Sequence, residues 1–137
     1  MILDKENMLS WKQAVTTTAN STNVIDLGPN HWANASGKDK EIPLFIDINE
    51  AFTAGGAATL NVKIQSSNAE AFGSGVKTHH SLDFALADLS AVGRLPQSLA
   101  LPPDVLRYVR AVYTVGTGPM TAGQISVGVT ASRQTNY

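Results

Sequence analysis

Cysteine is absent from this 137-residue chain. Disulfides, thiolate metal sites and a cysteine nucleophile are thereby excluded together. No stretch approaches the roughly 20 apolar residues that a membrane helix needs. The opening Met1-Ile2-Leu3-Asp4-Lys5-Glu6 has neither a basic run nor a long apolar one, so no secretory leader is predicted. An excess of either charge is also missing: 10 basic and 11 acidic residues leave a net charge of −1. Residues 1–77 hold 6 Lys and 8 acids, and residues 78–137 hold 4 Arg and 3 acids. Without a basic stripe to neutralise phosphates, nucleic acid is not an expected partner, and no membrane partner is expected either. Aromatic residues are scarce, at 7%.

The hydrophobic fraction, 43%, is that of a globular protein. A chain of this length makes one domain with a core of its own. Its periodicity is that of strands, whose side chains alternate between faces. Leu60, Val62 and Ile64 oppose Asn61, Lys63 and Gln65. Ile125, Val127, Val129 and Ala131 oppose Gln124, Ser126, Gly128, Thr130 and Ser132. Leu44, Ile46 and Ile48 form a third inner set, and Val109, Ala111 and Tyr113 belong to a strand apolar on both faces, hence central. Further strands are predicted near residues 13–18, 23–27, 78–85 and 94–101. A helical alternative exists over residues 84–92, where Leu86, Leu89 and Val92 recur every three residues. Thr53-Ala54-Gly55-Gly56 and Gly116-Thr117-Gly118-Pro119 read as glycine-bearing hairpin turns. Pro96, Pro102 and Pro103 argue against a helix there. About seven or eight short strands with such turns imply an all-β, two-sheet antiparallel sandwich of jelly-roll or immunoglobulin kind. Residues 1–12 read as a short arm before a sandwich domain over residues 13–137.

Catalytic patterns fail one by one. His79 and His80 are neighbours on a strand, where adjacent side chains point apart, and His31 is the remaining histidine. No metal site and no cofactor are expected. Phe72-Gly73-Ser74-Gly75 falls short of a nucleophile elbow and reads as a turn. Gly37-Lys38 is followed by Asp39, and Trp32 stands where a phosphate loop needs glycine. Asp83, Asp88 and Asp104 sit in separate loops and read as caps and turn residues.

What remains is surface. Trp11 and Trp32 lie in polar sequence, so each is either a plug under the sandwich or an interface anchor. Ile2, Leu3, Met8 and Leu9 stand among charges without strand alternation, as apolar residues near a terminus do when they dock onto a neighbour or fold back onto the domain. With Trp11, and with His31 and Trp32 in the long polar loop that begins at Gly28, they form the predicted partner interface.

Several blocks also carry a resemblance. Met1-Ile2-Leu3-Asp4, Gln13-Ala14-Val15-Thr16-Thr17-Thr18-Ala19 and Ser21-Thr22-Asn23-Val24-Ile25-Asp26-Leu27-Gly28 come first. Pro43-Leu44-Phe45-Ile46 and Glu50-Ala51-Phe52-Thr53-Ala54-Gly55-Gly56-Ala57-Ala58-Thr59-Leu60 follow. Leu101-Pro102, Arg107-Tyr108-Val109-Arg110-Ala111-Val112-Tyr113-Thr114-Val115-Gly116 and Thr121-Ala122-Gly123 close the set. In that order the chain resembles the cement, or decoration, proteins of short-tailed and related bacteriophages; residues 30–40 depart from the pattern. The resemblance implies a jelly-roll-like sandwich, non-enzymatic and made in the host cytoplasm. It would self-associate, as a dimer rather than a trimer, and bind the outer capsid surface of the virion. There it would bridge neighbouring copies of the major capsid protein. A carbohydrate- or receptor-binding sandwich is the competing expectation and a small enzyme the third, since fold alone decides neither.

Overall fold

A computed structural model describes residues 5–28, 42–95, 99–102 and 105–130. It contains two antiparallel five-stranded sheets. The strands are β1 (Met8–Ala14), β2 (Ala19–Asn20), β3 (Ile25–Asp26), β4 (Ile42–Ala54), β5 (Thr59–Ser67), β6 (Lys77–Ala85), β7 (Gly93–Arg94), β8 (Leu99–Leu101), β9 (Tyr108–Gly116) and β10 (Met120–Val129). One sheet runs β1-β10-β4 and ends on β7 and β8, which pair with β4 at different heights. The other begins with β2 and β3, both paired with β9, and continues β9-β5-β6. Ten segments thus occupy eight strand positions.

The pairing is nested. The first position pairs with the last (β1 with β10), the second with the seventh (β2 and β3 with β9), the third with the sixth (β4 with β7 and β8), and the fourth with the fifth (β5 with β6). Wrapping such a ribbon around a core brings β10 beside β4 and β9 beside β5. This is the jelly roll, and it settles the choice that periodicity left open.

Nesting also explains which turn readings changed. The Gly55-Gly56 and Thr117-Gly118 corners carry the chain from one sheet to the other rather than around a hairpin. Thr117 and Gly118 do adopt positive φ (61° and 99°). Consecutive strands pair only as β5 and β6 among the described elements, and their loop takes its positive φ at Phe72 and Gly75. The helical alternative shrinks to one 3₁₀ turn, Leu86–Leu89, whose Asp88 carboxylate accepts the Ala85 N–H (3.1 Å).

Alternation places the core correctly. Leu44, Ile46, Ile48, Leu60, Val62, Ile64, Val109, Ala111, Tyr113, Ile125 and Val127 are buried, and Val129 is half-buried. The polar face predicted for β10 is different: Ser126, Gly128 and Thr130 are also buried. β10 is flanked by β1 and β4, and Gly128 lies between Met8 and Phe45 in register. A methyl group at Gly128 would meet Met8 Sδ at 2.7 Å, so glycine there makes room for methionine.

Candidate surface at the first strand

The first strand begins at Met8, five residues earlier than predicted, because two bulges erase its alternation. Ser10 faces Val127 and Gln13 faces Ile125, so Trp11 and Lys12 together stand opposite Ser126 alone. Such a bulge bends an edge strand and re-aims its side chains. Lys12 takes a positive φ of 48°. Its N–H donates to Ser126 Oγ (2.9 Å), which in turn donates to Asn49 Oδ1 (2.5 Å). The bulge is thus pinned from beneath, and Trp11 is turned outward with 56% of its surface exposed. Lys12 Nζ lies 5.5 Å from the indole centroid, within cation–π range.

Behind Trp11 the strand is sewn to the segment between β2 and β3. Asn23 N–H donates to Leu9 O (3.0 Å) and Asn23 Nδ2 to Met8 O (2.7 Å). Gln13 Nε2 donates to Asn20 O (2.9 Å), while Gln13 Oε1 accepts from Thr22 N–H (3.0 Å) and Ser10 Oγ (2.7 Å). Because Ser10 donates to Gln13, its 2.6 Å contact with Tyr113 Oη takes the phenol proton. A polar thread therefore crosses from one sheet to the other through the core. Burial pushes the Tyr113 phenol well above its ordinary range, opposed in part by the Ser10 bond. Outside this seam lies a cleft of about 620 Å³ lined by Glu6, Met8, Leu9, Trp11, Thr22, Asn23 and Val24.

The predicted interface residues therefore separate. Trp11 is on the surface. Met8 and Leu9 are not: they are 4% and 0% exposed, in a paired strand, which corrects the arm reading of residues 8–12 and leaves them lining the cleft from within the sheet. Their apolar run lacked alternation because bulges, not a docking arm, interrupt it. Ile2, Leu3, His31 and Trp32 lie outside the described residues. Thr22, Asn23 and Val24 escaped the sequence reading, since nothing in their order shows that they fold against β1.

The histidines are held apart by a bulge. Ile64 faces His80 and Gln65 faces Thr78, leaving His79 as the extra residue. His79 Nε2 lies 2.6 Å from Ser66 Oγ, and His80 Nε2 lies 2.6 Å from Ala100 O. No group of three His, Cys, Asp or Glu side chains that could share an ion occurs among the described residues. In the loop holding Ser74, Phe72 is buried under the Arg110 guanidinium, 4.2 Å from its centroid. Asp26 accepts a two-pronged bond from Arg107 (2.9 and 3.1 Å) and another from Gly28 N–H (2.8 Å). The Arg107 bond, then the Gly28 bond, hold its carboxyl below the usual carboxylate range.

No curated protein matches this chain. The sequence model of one family, Bbp16, matches residues 9–129, from the second residue of β1 to the last of β10. That span holds all of the nested ribbon but Met8, and the chain belongs to the phage-related Bbp16 family.

Proposed function

We propose that this protein is a non-enzymatic cement for a phage capsid, bound to the outer surface of the shell and bridging neighbouring major capsid protein subunits. Membership of a phage-related family over residues 9–129 carries the reading. The near-neutral charge favours a protein partner over packaged nucleic acid. Copies act by multivalency: each adds a modest contact, and avidity across the lattice multiplies it.

Trp11 and its cleft are the proposed grip, with Ile2, Leu3, His31 and Trp32 as further contacts. Tryptophan is enriched among residues whose loss costs a protein interface about 2 kcal/mol or more. The test is binding of purified protein to undecorated shells. Trp11→Ala should fold and melt like the parent yet bind shells at least about tenfold more weakly. Parent protein that ignores shells but binds glycans would replace this reading with the carbohydrate-binding one.

A further inference from the structure

Hydrogen bonds between Gln13 and both Asn20 and Thr22, and between Asn23 and both Leu9 and Met8, close the side of the sandwich where β1 meets the β2–β3 segment. The seam joins the edge of one sheet to the edge of the other. Past Asn23 it gapes. The next residue, Val24, lines the cleft together with Trp11, Met8 and Leu9.

Backbone direction at this opening follows from β9. In antiparallel pairs, residues alternate between pointing at their partner and pointing away from it. Leu27 N–H donates to Arg107 O (2.8 Å), so Leu27 points at β9, and so does Ile25, opposite Val109. Val24 and Asp26, on either side of Ile25, then direct N–H and C=O away from β9, toward the β1 side of the sandwich. Neither backbone makes a hydrogen bond on that side among the described residues. Val24 is half-buried while carrying these groups, and a backbone group kept from water is costly to leave unpaired. The run ends at Gly28, whose N–H turns back to Asp26 Oδ1 (2.8 Å). That carboxylate is also paired with Arg107 (2.9 Å), so an incoming chain meets no lone charge there.

We propose that the cleft takes an extended peptide segment of the shell protein, added as a strand to Val24 and Asp26 and packed against Trp11. The proposal rests on the capsid reading above and names what its grip holds. The N–H and C=O pairs of Val24 and Asp26 recur at the two-residue spacing of a strand, about 7 Å. An extended main chain carries the same pair of groups at the same spacing, whereas the hydroxyls of a sugar do not. Asn23 Oδ1 accepts no hydrogen bond among the described residues and adds an acceptor beside Val24. Two groups on each of two residues allow four main-chain bonds, which is little for a strand as short as β3. The exposed indole of Trp11 supplies the apolar contact that those bonds lack. Strand addition works by this division: main-chain bonds give affinity, and side chains in pockets give specificity.

The test uses the full chain with undecorated shells, read by amide hydrogen exchange and by binding. In the free protein the Val24 and Asp26 amides should exchange quickly, while those of Ile25 and Leu27, bonded to β9, exchange slowly. On shells, the Val24 and Asp26 amides should slow at least about tenfold. Val24→Pro deletes an outward N–H but no bond to β9, and it should bind shells at least about tenfold more weakly than the parent. Val24→Ala keeps that N–H and should stay within about threefold of the parent. If Val24→Pro fails to fold, exchange in the parent protein still decides. Shells bound while the two amides remain fast, or Val24→Pro binding as well as Val24→Ala, overturns the added strand and leaves the capsid reading standing. Parent protein that ignores shells overturns both.

Discussion

Ser10, Gln13 and Tyr113 show how one buried polar thread constrains two sheets. Their contributions are not symmetric. Tyr113→Phe removes a donor and leaves Ser10 still bonded to Gln13, so about 1 kcal/mol is the expected loss. Ser10→Ala strands a phenol that is 0% exposed, and about 1–3 kcal/mol is expected. Denaturant titration of both variants checks the order. The same burial sets a pH dependence. A phenol raised above its ordinary 10.0 stabilises the fold fully below that value, and the stabilisation is lost as pH rises beyond it. Tyr113→Phe should therefore flatten the fall in stability above about pH 10, and tyrosinate absorbance should show Tyr113 ionising only with unfolding. Gly123 makes the sharpest steric prediction. Its φ is 147°, and a methyl group there would meet the Phe52 ring at 2.3 Å. Gly123→Ala should cost on the order of 1–3 kcal/mol, the usual range for overpacking, seen as a lower melting midpoint.

At the scale of the element, β1 is the strand whose role the amino-acid order conceals. Alternation is legible only where a strand keeps its register, as β5 does from Thr59 to Ile64. Two bulges within β1 put Leu9 and Ser10 both inward and Trp11 outward, so Met8-Leu9 mimics a loose apolar end. The distinction is measurable. Leu9→Ala empties fully buried volume and should cost about 2–5 kcal/mol. Trp11→Ala lies at the surface and should stay within about 0.5 kcal/mol of the parent. Equal losses in the two melting curves would mean that the indole is part of the core. Truncation of residues 1–9 should likewise destabilise the fold, since it removes Met8 and Leu9 from a strand paired with β10.

Across the whole molecule, nesting makes nearly every pairing distant in sequence. Met8 meets Gly128, and Ala19 meets Tyr113, while local pairing among the described elements is confined to β5 and β6. Sheets built this way must close long loops before contacts reward them. Refolding is therefore expected in milliseconds to seconds, slower than for helical proteins of similar size. Stopped-flow fluorescence of Trp11 and Trp32 would follow it, and a microsecond phase recovering full native signal would contradict the nested order.

The sequence by itself determined the fold class, a count of seven or eight strands and most of the core. Those properties follow from alternation, turn residues and the lack of cysteine, all of them local. Ordered blocks from Met1 to Gly123 also carried a resemblance to phage proteins, and the family match over residues 9–129 bears out its phage-related part. Tertiary structure alone decided which alternating set was covered on both sides, as Ser126 and Gly128 are. It alone decided that Met8 and Leu9 are core while Trp11 is surface. It alone decided which edges are closed, because Asn23 reaches Met8 only after the ribbon has wrapped. Periodicity reports which way a side chain points within its own strand, but what stands opposite it is fixed by pairing across the chain.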